Sequence, residues 1–140
     1  MRYYVVGFAF NYNCSRVLLV EKLRPEWMKG CLNGIRGHIE AGEFPTSAMN
    51  RECKEETGLV LDWEYKGKMW GINNNGNSFV CYVFYSYDNK VSSYEQKGDE
   101  PLALYHVQDI INYRTVANLG FLVPYGVCKD GSRFMSIEYA

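Results

Sequence analysis

The chain has little of what would take a protein to a membrane, to long nucleic acid or into an oxidising compartment. No run approaches the roughly 18 apolar residues that cross a bilayer. The apolar start MRYYVVGFAF lacks the cleavage site and long apolar stretch of a signal peptide. Basic residues never gather into a tract and the net charge is −1, which argues against non-specific binding to long nucleic acid. The five cysteines, Cys14, Cys31, Cys53, Cys81 and Cys128, are odd in number and far apart, with no C-x-x-C. That pattern fits reduced thiols in a cytoplasmic setting, not a disulfide framework. The two histidines, His38 and His106, are not at metal-ligand spacing and read as structural. There is no repeat, linker or low-complexity tract.

What is present is enough for one packed domain over residues 1–140, since 47% of the residues are apolar. Strands are expected at 3–10 and 16–21, paired as a hairpin through the turn-like Asn11–Asn13 segment. Residues 22–33, with Pro25 and Gly30, read as a loop, and 34–40 as a short extended piece. Two further strands, 59–72 and 78–87, flank Asn75-Gly76, a strong hairpin signal. A polar loop over 88–98 leads to a strand at 102–107. Helical stretches are expected at 108–112 and 117–127, the second broken or kinked near Pro124. Asp130-Gly131 turns into a last strand at 133–139. This alternation predicts an α/β fold, a mixed sheet with helices on both faces.

The densest chemistry lies between Gly37 and Leu59. Pro45 suits a first helical position and Gly58 a left-handed residue just past a helix end, which predicts a helix over 45–57. On it Glu52, Glu55 and Glu56 stand at i, i+3 and i+4, so three carboxylates share one face. Like charges at that spacing repel. A hard divalent cation such as Mg²⁺ takes oxygen ligands and also binds substrate phosphates, so it would neutralise the cluster; a solvated acidic face is the alternative. Arg51, flanked by acids, can hold a carboxylate in a fixed orientation. Gly37 and Gly42 bracket a tight loop.

Gly37, Glu43, Arg51, Glu52, Glu55, Glu56 and Gly58, with apolar Cys53 and Leu59, fit G-x5-E-x7-R-E-U-x-E-E-x-G-U, where U is apolar. Average residue usage puts a chance match at about 10⁻⁹ per starting position. The segment resembles the Nudix box of enzymes that cut pyrophosphate bonds in nucleoside diphosphate derivatives. The resemblance implies the family's α/β/α sandwich, with Mg²⁺ (or Mn²⁺) held by Glu52, Glu55, Glu56 and the Gly37 carbonyl. It also implies that Arg51 pairs with Glu43 to brace the loop against the helix.

Outside the box, Asn33-Gly34-Ile35-Arg36-Gly37 is similar to the N-G-(V/I/F)-G-G entry of MutT-like triphosphatases that remove oxidised purine nucleotides. The likeness makes Asn33 a candidate base contact; a turn asparagine bonded to its own backbone is the other reading. Arg36 departs from the family's glycine pair and either reaches the phosphates or points to solvent. Asp99-Glu100 before Leu102–Tyr105 resembles the family's distal acid. Glu100 is the candidate for it, as an extra metal ligand or a helper in activating water, with Glu95 and Asp99 as rivals. Asn118 resembles the residue of the segment that closes over the base, and suits a helix N-cap equally well. Trp27 is a candidate stacking partner, and Lys22 and Arg24 are candidate phosphate contacts or solvated surface.

The resemblance implies a hydrolase that takes a nucleoside triphosphate to a monophosphate and pyrophosphate. Metal ions would neutralise phosphate oxygens and lower the pKa of bound water. Glu52 or Glu100 would serve as base. An ADP-ribose or other dinucleotide pyrophosphatase is the second reading, and a non-catalytic Nudix-shaped binding domain the third. The expected partner is a small nucleotide, not a membrane or a long nucleic acid.

Overall fold

The computed structural model describes residues 1–129, 131 and 133–139. Its elements are β1 (Arg2–Phe10), β2 (Arg16–Glu21), β3 (Leu32–Asn33), β4 (Ile35–His38), α1 (Pro45–Thr57), β5 (Glu64–Ile72), β6 (Ser78–Tyr87), β7 (Leu102–His106), α2 (Leu119–Val127) and β8 (Met135–Tyr139). Short 3₁₀ turns lie at Glu26–Met28, Asn89–Ser93 and Val107–Asn112.

The strands form one mixed sheet in the order β3-β2-β1-β6-β5-β8, with β4 added to β1 and β7 to β2. β1 runs parallel to β6 from Arg2↔Phe79 to Phe10↔Tyr87, and β5 runs parallel to β8. The remaining pairs are antiparallel, including the expected β1–β2 and β5–β6 hairpins. Along its other edge β1 pairs first with β4, at Tyr4–Gly7, and then with β2, at Ala9–Phe10.

Alternation along β1 divides the core in two. Val5 and Ala9 face α1, where they pack with Leu18, Val20, Ile35, Ala48, Met49, Cys53 and Phe84. Tyr4, Val6, Phe8 and Phe10 face the other way, onto a cluster holding Leu119, Leu122 and Val123 of α2. Each fully buried Val, Leu, Ile, Met or Phe side chain among these contributes about 1.5–3 kcal/mol. Gly7 lets α1 approach: a Cβ there would lie 2.6 Å from Met49 Cε and 2.8 Å from the Trp63 ring. On the opposite face Tyr85 and Tyr87 donate hydroxyl hydrogen bonds to the Leu122 and Gly126 carbonyls, both at 2.6 Å, and tie α2 to β6. The layers are therefore helix, sheet, helix.

Some boundaries differ from the sequence expectation. The 59–72 stretch pairs only from Glu64, because Leu59 and Leu61 are buried in the α1-side core instead of joining the ladder. The loop expected over 22–33 contains a 3₁₀ turn and the two-residue β3. α2 starts at Leu119 and continues through Pro124. The residue four earlier is Gly120, so the carbonyl deprived of a donor belongs to a residue with no side chain to crowd the ring. Asp130 of the expected turn lies outside the described residues. No helix among them is long and apolar enough to cross a membrane.

Candidate active site

α1 has its expected ends. Pro45 takes the first turn, and Gly58 adopts φ 73° while its N–H closes on the Lys54 carbonyl at 3.0 Å. Beyond Gly58 the chain returns to the helix end. Glu95 N–H donates to the Thr57 carbonyl and Lys97 N–H to the Glu56 carbonyl, both at 3.0 Å. These bonds satisfy acceptors that a helix terminus leaves open. They also hold the 95–100 loop beside the acidic face of α1.

Arg51 organises the other end of the face. Its Nε and Nη2 bind the two Glu43 carboxylate oxygens at 2.8 and 3.0 Å. Nη2 also donates to the His38 carbonyl at 2.9 Å, and Nη1 to Glu52 Oε1 at 2.8 Å and Glu55 Oε2 at 3.4 Å. One planar guanidinium thus fixes β4, the 40–43 loop and α1 together, which a lysine's point charge could not do. Glu43 Oε1 further accepts the Glu40 N–H at 3.0 Å. The Arg51 hydrogen bond, reinforced by that backbone bond, holds the Glu43 carboxyl down at about 2.

Gly37 lies under the Glu52 carboxyl, and a Cβ at Gly37 would collide with it. Burial pushes the Glu52 carboxyl up, against the pull of Arg51. Glu56 is pushed up to about 7, first by burial and then by the Glu52 charge, with Glu100 and Glu55 adding to it and Lys22 opposing. Glu100 is itself engaged: Oε1 accepts from Lys22 Nζ at 3.0 Å and Oε2 from the Leu23 N–H at 2.8 Å. A small cavity of about 20 Å³ lies between Val20, Glu56, Gly98, Asp99, Glu100 and Leu102.

Glu52, Glu55 and Glu100 therefore all lie close enough to Glu56 for their charges to act on it. Among the described residues, however, no three His, Cys, Asp or Glu side chains form a ready ligand set. Glu52 is turned to Arg51 and Glu100 to Lys22. As oxygen donors with surplus negative charge they suit a hard divalent cation, which would compete with those two side chains for them.

The remaining candidates are spread around this centre. Arg24 is paired with Asp99, and Trp27 is 58% exposed in the Glu26–Met28 turn. Asn33 is buried, and its Oδ1 accepts the Gly34 N–H at 2.8 Å. Asn118 precedes α2 with φ 71° and makes no side-chain cap; its amide lies by the Tyr139 hydroxyl. Arg36 lies on the face of β4 opposite Gly37, its guanidinium carbon 4.1 Å from the Tyr4 ring centre. The Lys22–Glu100 pair and the Arg51 bond to the His38 carbonyl have no signal in the sequence: one joins residues 78 apart, the other uses a backbone atom.

A family model for the NUDIX domain matches residues 2–117. A search of the curated proteins gave no match. Among solved structures the chain is similar to the MutT protein of Bacillus halodurans (19% identity, TM-score 0.75, covering 100% of this chain and 91% of that one). It is similar to a NUDIX-family hydrolase of Clostridium perfringens (19%, TM-score 0.70, 90% and 95%). It is also similar to the NUDIX domain of Shewanella oneidensis NrtR complexed with ADP ribose (16%, TM-score 0.72, 87% and 83%). With the NUDIX domain model matched over most of its residues, the chain belongs to the Nudix family.

Proposed function

We propose that the chain is a Mg²⁺-dependent, Mn²⁺-tolerant pyrophosphohydrolase that converts a nucleoside triphosphate, with an oxidised purine as one candidate base, to the monophosphate and pyrophosphate in the cytoplasm. The observation that carries this reading is the gathering of Glu52, Glu55 and Glu100 around Glu56, whose carboxyl is pushed up to about 7 first by burial and then by the Glu52 charge, with Glu100 and Glu55 adding to it. Such crowding is costly unless a cation enters. The metal would be held by Glu52, Glu55, Glu56 and the Gly37 carbonyl, with Glu100 as a further ligand, and would supply charge neutralisation at the phosphate oxygens and a more acidic water.

This chain's own residues supply orientation and a proton acceptor. Arg51 fixes the Glu52 carboxylate through Oε1 while Glu43 fixes Arg51. Glu52 is the base in this reading, because burial raises its proton affinity and Arg51 fixes its carboxylate. Glu100 has both oxygens committed to Lys22 and Leu23 and is the weaker candidate. Arg24 and Trp27, at the rim, would meet the triphosphate and the base.

A second reading, an ADP-ribose-type dinucleotide as substrate, is supported by the likeness to the NrtR domain complexed with ADP ribose. One experiment separates the readings: incubate the protein and Glu52→Gln with a nucleotide panel in Mg²⁺ and identify products. Monophosphate plus pyrophosphate, lost in Glu52→Gln, supports the first. AMP plus ribose 5-phosphate from ADP-ribose alone supports the second. No turnover of any member overturns both and leaves a binding domain.

A further inference from the structure

The outer strands of the sheet, β6, β5 and β8, are closed on one face and open on the other. On the α2 side Met69, Cys81 and Met135 are buried. On the α1 side the helix packs chiefly against β4 and β1 and leaves the outer strands to solvent. There Trp70 and Ile72 of β5 are 37% and 64% exposed, Tyr3 of β1 46% and Phe134, just before β8, 66%.

Register sets these side chains in rows. Tyr3, Val80, Trp70 and Glu138 are neighbours across β1, β6, β5 and β8, and Val5, Tyr82, Lys68 and Ser136 form the next row. Val5 belongs to the α1-side core, so both rows face that side. A sheet face meant for water alternates to polar residues; this one alternates to aromatics. Tyr65 extends the surface, its ring 5.9 Å from that of Tyr82 and 5.7 Å from that of Phe134. Trp70 Nε1 donates to Ser136 Oγ at 3.2 Å, so the one donor of the indole is satisfied within the sheet and covering the ring leaves no polar group unpaired.

A contiguous exposed apolar surface rimmed by polar groups marks an interaction site, and the charges on this one choose the occupant. Lys68 and Glu138 are exposed at diagonal positions on β5 and β8, and neither makes an ion pair among the described residues. Lys66, beside Phe134, is already engaged by Glu64 and the Gly131 carbonyl. In the two rows one cation therefore stands against one anion, which matches neither a phosphate backbone nor a peptide of one charge sign. It does match itself: around a twofold axis each charge meets its opposite on the other copy. We infer that the face carrying Tyr3, Tyr65, Trp70, Ile72 and Phe134 docks a second copy of this chain, with Lys68 of each copy paired to Glu138 of the other.

The test is sedimentation velocity of the intact protein at concentrations up to about 100 μM, the range of weak association, beside Trp70→Glu, Lys68→Glu and Glu138→Lys. The parent should sediment as a dimer in the upper part of that range, and Trp70→Glu, which puts a charge at the centre of the contact, as a monomer. Lys68→Glu and Glu138→Lys should each weaken the dimer at least about tenfold, because each sets like charges together across the axis. An equimolar mixture of those two variants should regain the parental dimer, since both pairs are then opposite in sign again. The two charge variants lie at exposed positions, so they report even if Trp70→Glu folds poorly. A parent that stays monomeric throughout overturns the inference and leaves the face to a different protein or an oligonucleotide. A dimer that survives Trp70→Glu, or charge variants whose mixture associates no better than either alone, also overturns it.

Discussion

Glu52 folds its carboxyl over the bare Cα of Gly37, in the space a side chain at Gly37 would fill. The obstacle is the far end of a flexible side chain, and the Gly37 backbone does not take a positive φ. Gly37→Ala should therefore displace Glu52 and leave the backbone standing. Nucleotide hydrolysis should fall by about 10²-fold or more, the scale of a lost electrostatic contact at a reacting centre. The melting temperature should move by only a few degrees. A variant that keeps full activity would show that the Glu52 position is irrelevant to catalysis.

Glu52→Gln tests charge without shape. Its amide can still lie over Gly37 but has no negative charge to offer a metal or a proton. We expect kcat to drop by about 10²-fold or more, with an unchanged circular dichroism spectrum. Parental turnover by Glu52→Gln in saturating Mg²⁺ would remove Glu52 from the chemistry.

Glu56 sets a pH signature in metal-free solution. Its carboxyl rises from 4.5 to about 7 on folding, so between those values the folded protein keeps a proton that the unfolded chain releases. The stability it confers is complete below about pH 4.5 and is lost as pH climbs to about 7. Melting temperatures in EDTA should fall across that window, and Glu56→Gln should flatten the fall. Millimolar Mg²⁺ should raise the melting point at pH 7.5 in the parent by mass action, and less in Glu56→Gln. Superimposable parent and variant curves in EDTA would refute the assignment.

Glu43 behaves in the opposite sense. Arg51 holds its carboxyl down at about 2, so its stabilisation is present above 4.5 and is lost as pH falls toward 2. Glu43→Gln should blunt acid unfolding between those values and leave the neutral window to Glu56. The readout is the acid limb of a thermal or denaturant titration; identical limbs would mean that the Arg51 contact does not hold in solution.

The ends of α1 were legible because Pro45 and Gly58 act locally, through a missing N–H and a permitted φ of 73°. The Arg51–Glu43 contact was open to the family likeness, since the two residues are eight apart across a loop. Arg36 was harder. Strand alternation turns it away from the α1 face, but that follows only once residues 35–38 are known to pair with β1. Asn118 stands before α2 with a left-handed φ but its amide lies by Tyr139 and does not cap the helix, so the cap reading does not hold. The parallel β1–β6 ladder joins segments about 77 residues apart, and no turn residue announces it.

The amides of Glu95 and Lys97 end on the Thr57 and Glu56 carbonyls, so the loop carrying Glu100 and the last turn of α1 share one set of hydrogen bonds. In hydrogen–deuterium exchange these amides should open as one cooperative unit with the C-terminal turn of α1, not with the neighbouring β7. A ligand that orders the Glu56 end of α1 would then slow exchange in the 95–97 segment as well, making those two amides reporters of occupancy at a site they do not touch.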